Sequence, residues 1–389
     1  MKKKTCPWLD SNIRGGIQIL NNRIYPCCGP SKPFYNDENL DYSKISIEEL
    51  IEKRKELQEK INEGTACQGC EQIIEKEEED INIGPITYLS IGLFSTCNLR
   101  CKYCYFTDDE LSQKLKPERT HLLPFIKRLS KHGFMKKDFS IGLAGGEPTL
   151  FEDLPETFKF ISDNYEKSSM VLLSNSSITS RTQKIIDVLK DTNENFDKGL
   201  YTSIDAGTKE TYKLIRGRDL YTEVKKNIIN YAKNNSFNRI TLKYILMFDH
   251  SNTSNKDIFG FLFFFKEVMK NQKGTMAMTI DCDMLSHEPF DDEMIAAAGK
   301  LYYVARDIFG IEVAFCGGGL VNSTSKGQER IKLLQNYAKN YKTAKKPLIE
   351  KFYLFLLGYS SVLNNINRLF KLYKRTIKLI KILYFQQIN

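Results

Sequence analysis

Histidine is scarce in this chain: 389 residues contain four, His121, His132, His250 and His287, and they show no ligand spacing. An imidazole-built metal centre is therefore not expected, and the four are read as structural or exposed. Long apolar runs are missing as well. Ile258–Phe265 is a run of eight broken by Gly260, against the roughly 20 residues a helix needs to cross a bilayer, so it reads as a buried helix segment. Met1-Lys2-Lys3-Lys4 leads into Thr5-Cys6-Pro7-Trp8 and not into an apolar stretch. No signal peptide is therefore expected, and the expected compartment is a reducing cytoplasm. Disulfides are not needed to staple a chain of this length, and most of its ten cysteines fall in short-spaced groups.

What is present is the composition of a globular protein with a sizeable core, 41% hydrophobic and 12% aromatic. The net charge of +9 is uneven: Lys339–Lys381 holds eleven Lys/Arg and one acid, Glu350, so the rest of the chain is close to neutral. Three stretches follow from the pattern. Residues 1–84 are a Cys-rich opening module, whose acidic run Glu75-Lys76-Glu77-Glu78-Glu79-Asp80 reads as a solvated helix end or linker. Residues 85–321 alternate strand-like segments (86–93, 139–143, 170–174, 200–204, 240–247, 276–282 and 311–315) with helical ones (119–132, 153–165, 180–191, 221–234, 255–270 and 291–308). That alternation is the mark of βα units around a parallel sheet, about six of them, fewer than a closed eight-fold barrel needs. Residues 322–389 are a basic helical tail.

Cys97, Cys101 and Cys104 stand in Cys97-Asn98-Leu99-Arg100-Cys101-Lys102-Tyr103-Cys104, a C-x3-C-x2-C spacing directly after the first strand of the α/β region. Three thiolates on one tight loop can hold three corners of a cubic iron–sulfur cluster and leave the fourth iron open; the plainer alternative is a three-cysteine zinc site completed by a distant residue. Gly145-Gly146-Glu147-Pro148 follows the second strand, Ser174-Asn175-Ser176 the third, and Ser203-Ile204-Asp205 the fourth, with Ile215-Arg216-Gly217 beyond. Two glycines let a backbone approach a ligand closely, a carboxylate can accept from an ammonium, and an arginine fork suits a carboxylate. Each string alone also reads as a strand-end turn or, for Arg216, as a surface arginine.

Taken together these motifs resemble the radical S-adenosylmethionine (radical SAM) superfamily. The resemblance implies an open six-fold partial TIM-like barrel, (β/α)6. It also implies a [4Fe–4S] cluster on Cys97, Cys101 and Cys104, and an S-adenosylmethionine whose amino and carboxylate groups chelate the open iron. One electron from the reduced cluster then cleaves the sulfonium to methionine and a 5′-deoxyadenosyl radical. Tyr103, Gly145, Gly146, Glu147, Pro148, Asn175, Ser203, Asp205 and Arg216 are the implied S-adenosylmethionine-binding residues. Ser176 stands where the family often has glycine, which weakens that part of the match. Cys282, in Thr279-Ile280-Asp281-Cys282-Asp283, is a candidate hydrogen donor and Asp281 a candidate orienting or proton-accepting group; an inert core cysteine and a solvated turn carboxylate are the alternatives. Cys316 is isolated.

The opening module supplies Cys6-Pro7-Trp8, then Pro26-Cys27-Cys28, and later Cys67-Gln68-Gly69-Cys70. Four cysteines of this kind can close a zinc or an iron–sulfur site. The wording resembles SPASM modules, which carry auxiliary clusters in radical SAM enzymes, although those modules usually follow the barrel. The resemblance implies a second, auxiliary [4Fe–4S] cluster on four of Cys6, Cys27, Cys28, Cys67 and Cys70. It further implies a reductant protein such as flavodoxin or ferredoxin, and a peptide, protein or carbohydrate substrate. In the tail, Ile366, Leu369, Phe370, Tyr373, Ile377, Ile380 and Tyr384 recur at helical spacing opposite Arg368, Lys371, Lys374, Arg375, Lys378 and Lys381. That basic amphipathic helix suits peripheral contact with an anionic membrane or packing on the barrel; nucleic acid is the least favoured partner because no recognition module accompanies the charge. A zinc-stabilised scaffold protein and a nucleic-acid modification enzyme are the readings of other classes.

Overall fold

The protein is described by a computed structural model that covers residues 1–20, 23–27, 32–35, 44–92, 97–104, 107, 122–283, 290–315 and 325–358. Cys28, Cys316 and the amphipathic pattern of 366–384 lie outside the described residues.

Eleven strands are described: β1 (Lys2–Thr5), β2 (Gly16–Leu20), β3 (Arg23–Tyr25), β4 (Ile74–Glu77), β5 (Ile86–Gly92), β6 (Met135–Ala144), β7 (Ser169–Leu173), β8 (Asp197–Ser203), β9 (Arg239–Leu246), β10 (Thr275–Cys282) and β11 (Glu312–Phe315). Nine of them form one sheet in the order β11-β10-β9-β8-β7-β6-β5-β2-β3. Every pairing from β11 through to β2 is parallel, and β3 closes that edge antiparallel to β2. Helices link the successive parallel strands, as parallel neighbours require. They include 154–164, 179–190, 221–233, 255–271 and 292–303, within a few residues of the spans the periodicity predicts. The α/β partial barrel read from the alternation is thus the observed one, and helices 325–343 and 348–357 follow it.

The strands are apolar on their outer faces, where Leu143, Met170, Leu172, Leu200, Leu242, Tyr244, Met278 and Ile280 join the helices in one core. The period of two sends their neighbours inward. In register across the sheet, Ser203 sits beside Lys243, Lys243 beside Thr279, and Ile245 beside Asp281. The inner face therefore carries polar side chains toward the C-terminal strand ends.

Two expectations change here. The acidic run is no helix end: Ile74–Glu77 is an edge strand antiparallel to Lys2–Thr5, followed by a 3-10 turn at Glu78–Asp80. Lys2 faces Glu77 and Lys4 faces Glu75, opposite charges that favour pairing in a register composition alone does not reveal. The barrel sheet also reaches into the opening module, because β2 pairs with β5 and brings β3 with it.

Arg54, from helix Ile47–Asn62, locks that junction. It is fully buried and donates to the carbonyls of Gly16 (2.7 Å) and Leu9 (2.8 Å).

Candidate active site

The loop Cys97–Cys104 is fixed to the barrel by its backbone. Arg100 N donates to Arg216 O (3.1 Å) and Lys102 N to Ile215 O (2.8 Å). Those carbonyls end helix Lys209–Arg216, which the sequence reading missed because eight residues give little more than two turns of periodicity. Gly217 caps the helix at φ +74° and presses on the loop so closely that a Cβ would meet Arg100 O at 2.5 Å. Its two demands, a left-handed backbone and no side chain, explain the glycine.

Cys97, Cys101 and Cys104 line one cavity of about 410 Å³ at the C-terminal ends of the strands, where open α/β sheets bind ligands. Gly145 and Gly146 form another part of its wall, and Asn175, Ser203, Tyr103 and Arg216 line it too. Leu99 N points at Cys97 Sγ (3.4 Å), and Asn175 Nδ2 lies 3.9 Å from it while donating to Asn98 Oδ1 (2.9 Å). Burial pushes the Cys97 thiol up, and the Cys101 thiol up to about 11 with Arg216 opposing. Metal binding here must therefore displace protons.

Asp205 is an anchor beneath this wall and not part of it. Its φ is +60° and its side chain is fully buried. Oδ2 accepts from Tyr103 Oη (2.7 Å) and Arg216 Nη1 (2.9 Å), and Oδ1 accepts from Ile245 N (2.8 Å). Burial raises the carboxyl, up to about 8, against the Ile245 N–H and Lys243. Its ion-pair partner is the Arg216 guanidinium. Arg216 keeps its Nε–H without a hydrogen-bond partner although the residue is 5% exposed and lines the cavity.

Glu147 departs from expectation. Its carboxylate is 0% exposed and accepts from Thr149 N (3.1 Å), Thr149 Oγ1 (2.6 Å), Ser174 Oγ (2.7 Å) and Asn175 N (2.6 Å). It braces the 174–175 corner, so the two glycines and not the carboxylate meet the cavity; Pro148, buried, starts the 3-10 turn behind them.

Cys282 is corrected likewise. The pleat turns it outward into the apolar core at 0% exposure, and burial raises its thiol far above the usual range. It does not face the cavity. Asp281, on the inner face, is not a solvated turn carboxylate: it is 1% exposed and ion-paired with Lys243, which does line the cavity. Lys243 was overlooked. Its signal is visible in Thr241-Leu242-Lys243-Tyr244, a charge at an inward position of an otherwise apolar strand.

In the opening module, Cys6, Cys27 and Cys67 share one apolar cluster with Trp8 and Ile61. Cys70 closes the tight turn back to Cys67 (Cys70 N to Cys67 O, 3.1 Å). Burial raises the Cys6 thiol, with Cys27 and Cys67 adding to it; burial also raises Cys67, with Cys27 and Cys70 adding. The fold thus gathers four of the five candidate cysteines in one neighbourhood. Among the described residues, no three His, Cys, Asp or Glu side chains already stand in a metal-ligating arrangement.

Residues 91–262 match the Radical SAM superfamily, and every residue lining the cavity falls within that stretch. The chain is 29% identical over 164 residues to the probable GTP 3′,8-cyclase of Metallosphaera sedula, covering 42% of this chain and 47% of that protein. It is 26% identical over 254 residues to the 7,8-dihydro-6-hydroxymethylpterin dimethyltransferase of Methanocaldococcus jannaschii, covering 62% and 46%. The chain spans about half the length of these curated relatives. Among solved structures, SuiB of Streptococcus suis bound to S-adenosylmethionine aligns over 70% of this chain and 57% of that one, at 13% identity and TM-score 0.44.

A radical SAM domain implies a [4Fe–4S] cluster and S-adenosylmethionine. The residues here fit both: three thiols on one loop face the cavity, two glycines leave its wall open, and an unpartnered buried Arg216 Nε–H lies on it. No helix of the described residues is long and apolar enough to cross a membrane.

Proposed function

We propose that this chain is an enzyme that abstracts a hydrogen atom from a bound substrate with a 5′-deoxyadenosyl radical, assisted by an auxiliary iron–sulfur cluster in the opening module. The observation that carries the reading is the cavity shared by Cys97, Cys101, Cys104, the Gly145-Gly146 turn and Arg216. When bound, the cluster and S-adenosylmethionine supply one electron and the sulfonium that it cleaves. The chain's own residues do the rest. The three thiolates hold the cluster on a loop fixed by Ile215 and Arg216 carbonyls. Arg216 offers its Nε–H to the methionyl carboxylate, Gly145 and Gly146 admit the ligand, and Ser203 and Tyr103 offer hydroxyls to it. Asp281 acts through Lys243, orienting its ammonium on the cavity wall. Cys6, Cys27 or Cys28, Cys67 and Cys70 would close the auxiliary cluster, suited to moving electrons because no iron is left open.

A peptide, protein or carbohydrate substrate is the first reading. A nucleotide or pterin is the second, favoured by the names of the curated relatives and by the cationic Lys243 on the cavity wall. Electrons would come from a flavodoxin or ferredoxin in the cytoplasm, and the basic tail would touch a membrane surface or the barrel. The test is anaerobic reconstitution followed by assay of 5′-deoxyadenosine. Cys97→Ala should abolish it and Cys67→Ala should leave a measurable part. Zinc without iron in the anaerobically purified protein would sink the enzymatic reading in favour of a scaffold. Adding GTP, a pterin or a short peptide and seeking accelerated turnover separates the substrate classes.

A further inference from the structure

Ten large apolar side chains are exposed among the described residues, and four of them stand on one short helix, Leu348–Leu357: Leu348 (81% exposed), Ile349 (51%), Phe352 (49%) and Leu356 (43%). At 3.6 residues per turn these four fall within an arc of about 100°. The opposite side of the helix is already in use. Leu354 and Leu357 are buried in the main core, and Tyr353 stacks on Phe259 at 4.9 Å and meets Phe263 edge-on at 5.9 Å. Glu350 accepts from Lys300 Nζ (3.1 Å), Asn255 Nδ2 (2.9 Å) and Tyr341 Oη (3.0 Å). The helix is thus apolar on both sides, the composition of a buried helix, yet one side is exposed.

The charge around that face is positive. From residue 331 to residue 358 the exposed charged side chains are Lys332, Lys339, Lys342, Lys345 and Lys351, and the single acid, Glu350, is buried. On helix Asn255–Asn271, which packs against this one, the exposed charges are Lys256, Glu267 and Lys270, and Lys266 Nζ donates to Leu356 O (2.8 Å). On helix Ser325–Thr343 the acid is Glu329, near the start, far from Lys342 at its end. The chain continues from Gly358 into residues 359–389, whose sequence again combines apolar and basic residues and contains no acid. Like charge therefore decides what covers the face. The basic tail, or the same face of a second copy, would bring positive charge onto positive charge. An anionic lipid surface attracts the lysines and takes the apolar side chains below its headgroups.

We infer that the face formed by Leu348, Ile349, Phe352 and Leu356 docks on an anionic lipid bilayer, with Lys345 and Lys351 against the headgroups. The face belongs to the folded body, so the inference stands whether or not the tail touches the same surface, and it is independent of the radical chemistry. Helix Leu348–Leu357 lies on the bilayer and does not cross it, in keeping with the absence of any long apolar helix among the described residues. Its packed side holds the face rigid, so no ordering of the helix is needed when it docks. Each lysine at such a surface is worth roughly fivefold in binding.

The test is co-sedimentation of the full-length protein with vesicles of phosphatidylcholine alone, or of phosphatidylcholine and phosphatidylglycerol in equal parts. The parent should bind the anionic vesicles, release from them as salt rises, and ignore the neutral ones. Leu348→Gln/Phe352→Gln and, independently, Lys345→Glu/Lys351→Glu should each weaken binding by roughly tenfold or more. All four side chains are exposed, and an unchanged denaturant midpoint checks that the fold is kept. Lys374→Glu/Lys378→Glu, in the tail, separates the two contacts. If that variant loses binding while both helix variants bind like the parent, the tail is the membrane contact and the helix face is overturned. If the parent does not bind anionic vesicles, the face and the tail's membrane contact both fall. If the helix variants instead turn a dimer into a monomer and leave vesicle binding unchanged, the face is an interface between copies and the inference is overturned.

Discussion

Arg216 and Asp205 form a buried ion pair at 2.9 Å, 6% and 0% exposed at the side chain, and each also serves the site. A partnered buried charge is tolerated; an orphaned one costs about 3–5 kcal/mol. Where Asp205 is ionised, Arg216→Met should therefore destabilise the fold by about that much, measured by denaturant unfolding. The sign of its pH dependence follows from burial, which holds the native Asp205 carboxyl at about 8 against an ordinary 3.8. A raised carboxyl binds its proton more tightly in the native state, so stability is greatest below the unfolded value and is lost as pH rises through that window. The deficit of Arg216→Met relative to the parent should hold steady up to about pH 8 and widen above it, where the parent's Asp205 ionises beside the guanidinium and the variant's is held protonated; a deficit that stays constant above that pH would refute an orphaned Asp205 charge. Gly217→Ala tests the neighbouring contact. A left-handed alanine and a Cβ at 2.5 Å from Arg100 O should cost about 1–3 kcal/mol, and the displaced cysteine loop should retain less iron at matched protein concentration. Full iron loading of a folded Gly217→Ala protein would show that the loop does not depend on this close approach.

At the scale of elements, the parallel strands and most of their helices were legible because apolar periodicity is a local signal. β9 and β10 announce themselves by branched and apolar residues over eight positions each. The pairing of β1 with β4 was not legible, since Lys2–Thr5 and Ile74–Glu77 are four residues each and lie about 70 apart in sequence; only the fold brings their opposite charges together. The cysteine loop, the double glycine and Arg216 stood out in the sequence by their motifs, and the fold brings them to one cavity. Glu147 and Cys282 were misplaced for one reason: a motif names a residue, while burial decides which way it points. Glu147 finds four donors inside the protein, and Cys282 falls on the outward beat of its strand. Lys243 shows the converse, a cavity residue outside every motif, detectable only once strand alternation is tied to an inner face.

At the scale of the molecule, the opening module and the barrel share one sheet, since β2 hydrogen-bonds to β5 over five registered pairs from Gly16/Tyr88 to Leu20/Gly92. The junction is packed as well as bonded. Trp8 meets Tyr88 edge-on at 5.6 Å, and Arg14 lies over both rings at 4.3 and 4.5 Å. Gly16 admits Trp8 so closely that a Cβ there would sit 2.7 Å from its ring. Such a seam makes the two parts a single cooperative unit, because opening it exposes aromatic surface and unpairs a strand within the sheet. The chain contains one tryptophan, Trp8, so fluorescence reports the opening module alone, while the far-ultraviolet circular dichroism comes mainly from the barrel helices. Unfolding followed by the two probes should give coincident midpoints, the signature of a two-state transition. Cys6→Ser, placed at the module's own cysteine cluster, should move both midpoints together. Fluorescence that changes at lower denaturant than the helical signal would show the module to be an independent domain that merely leans on the barrel.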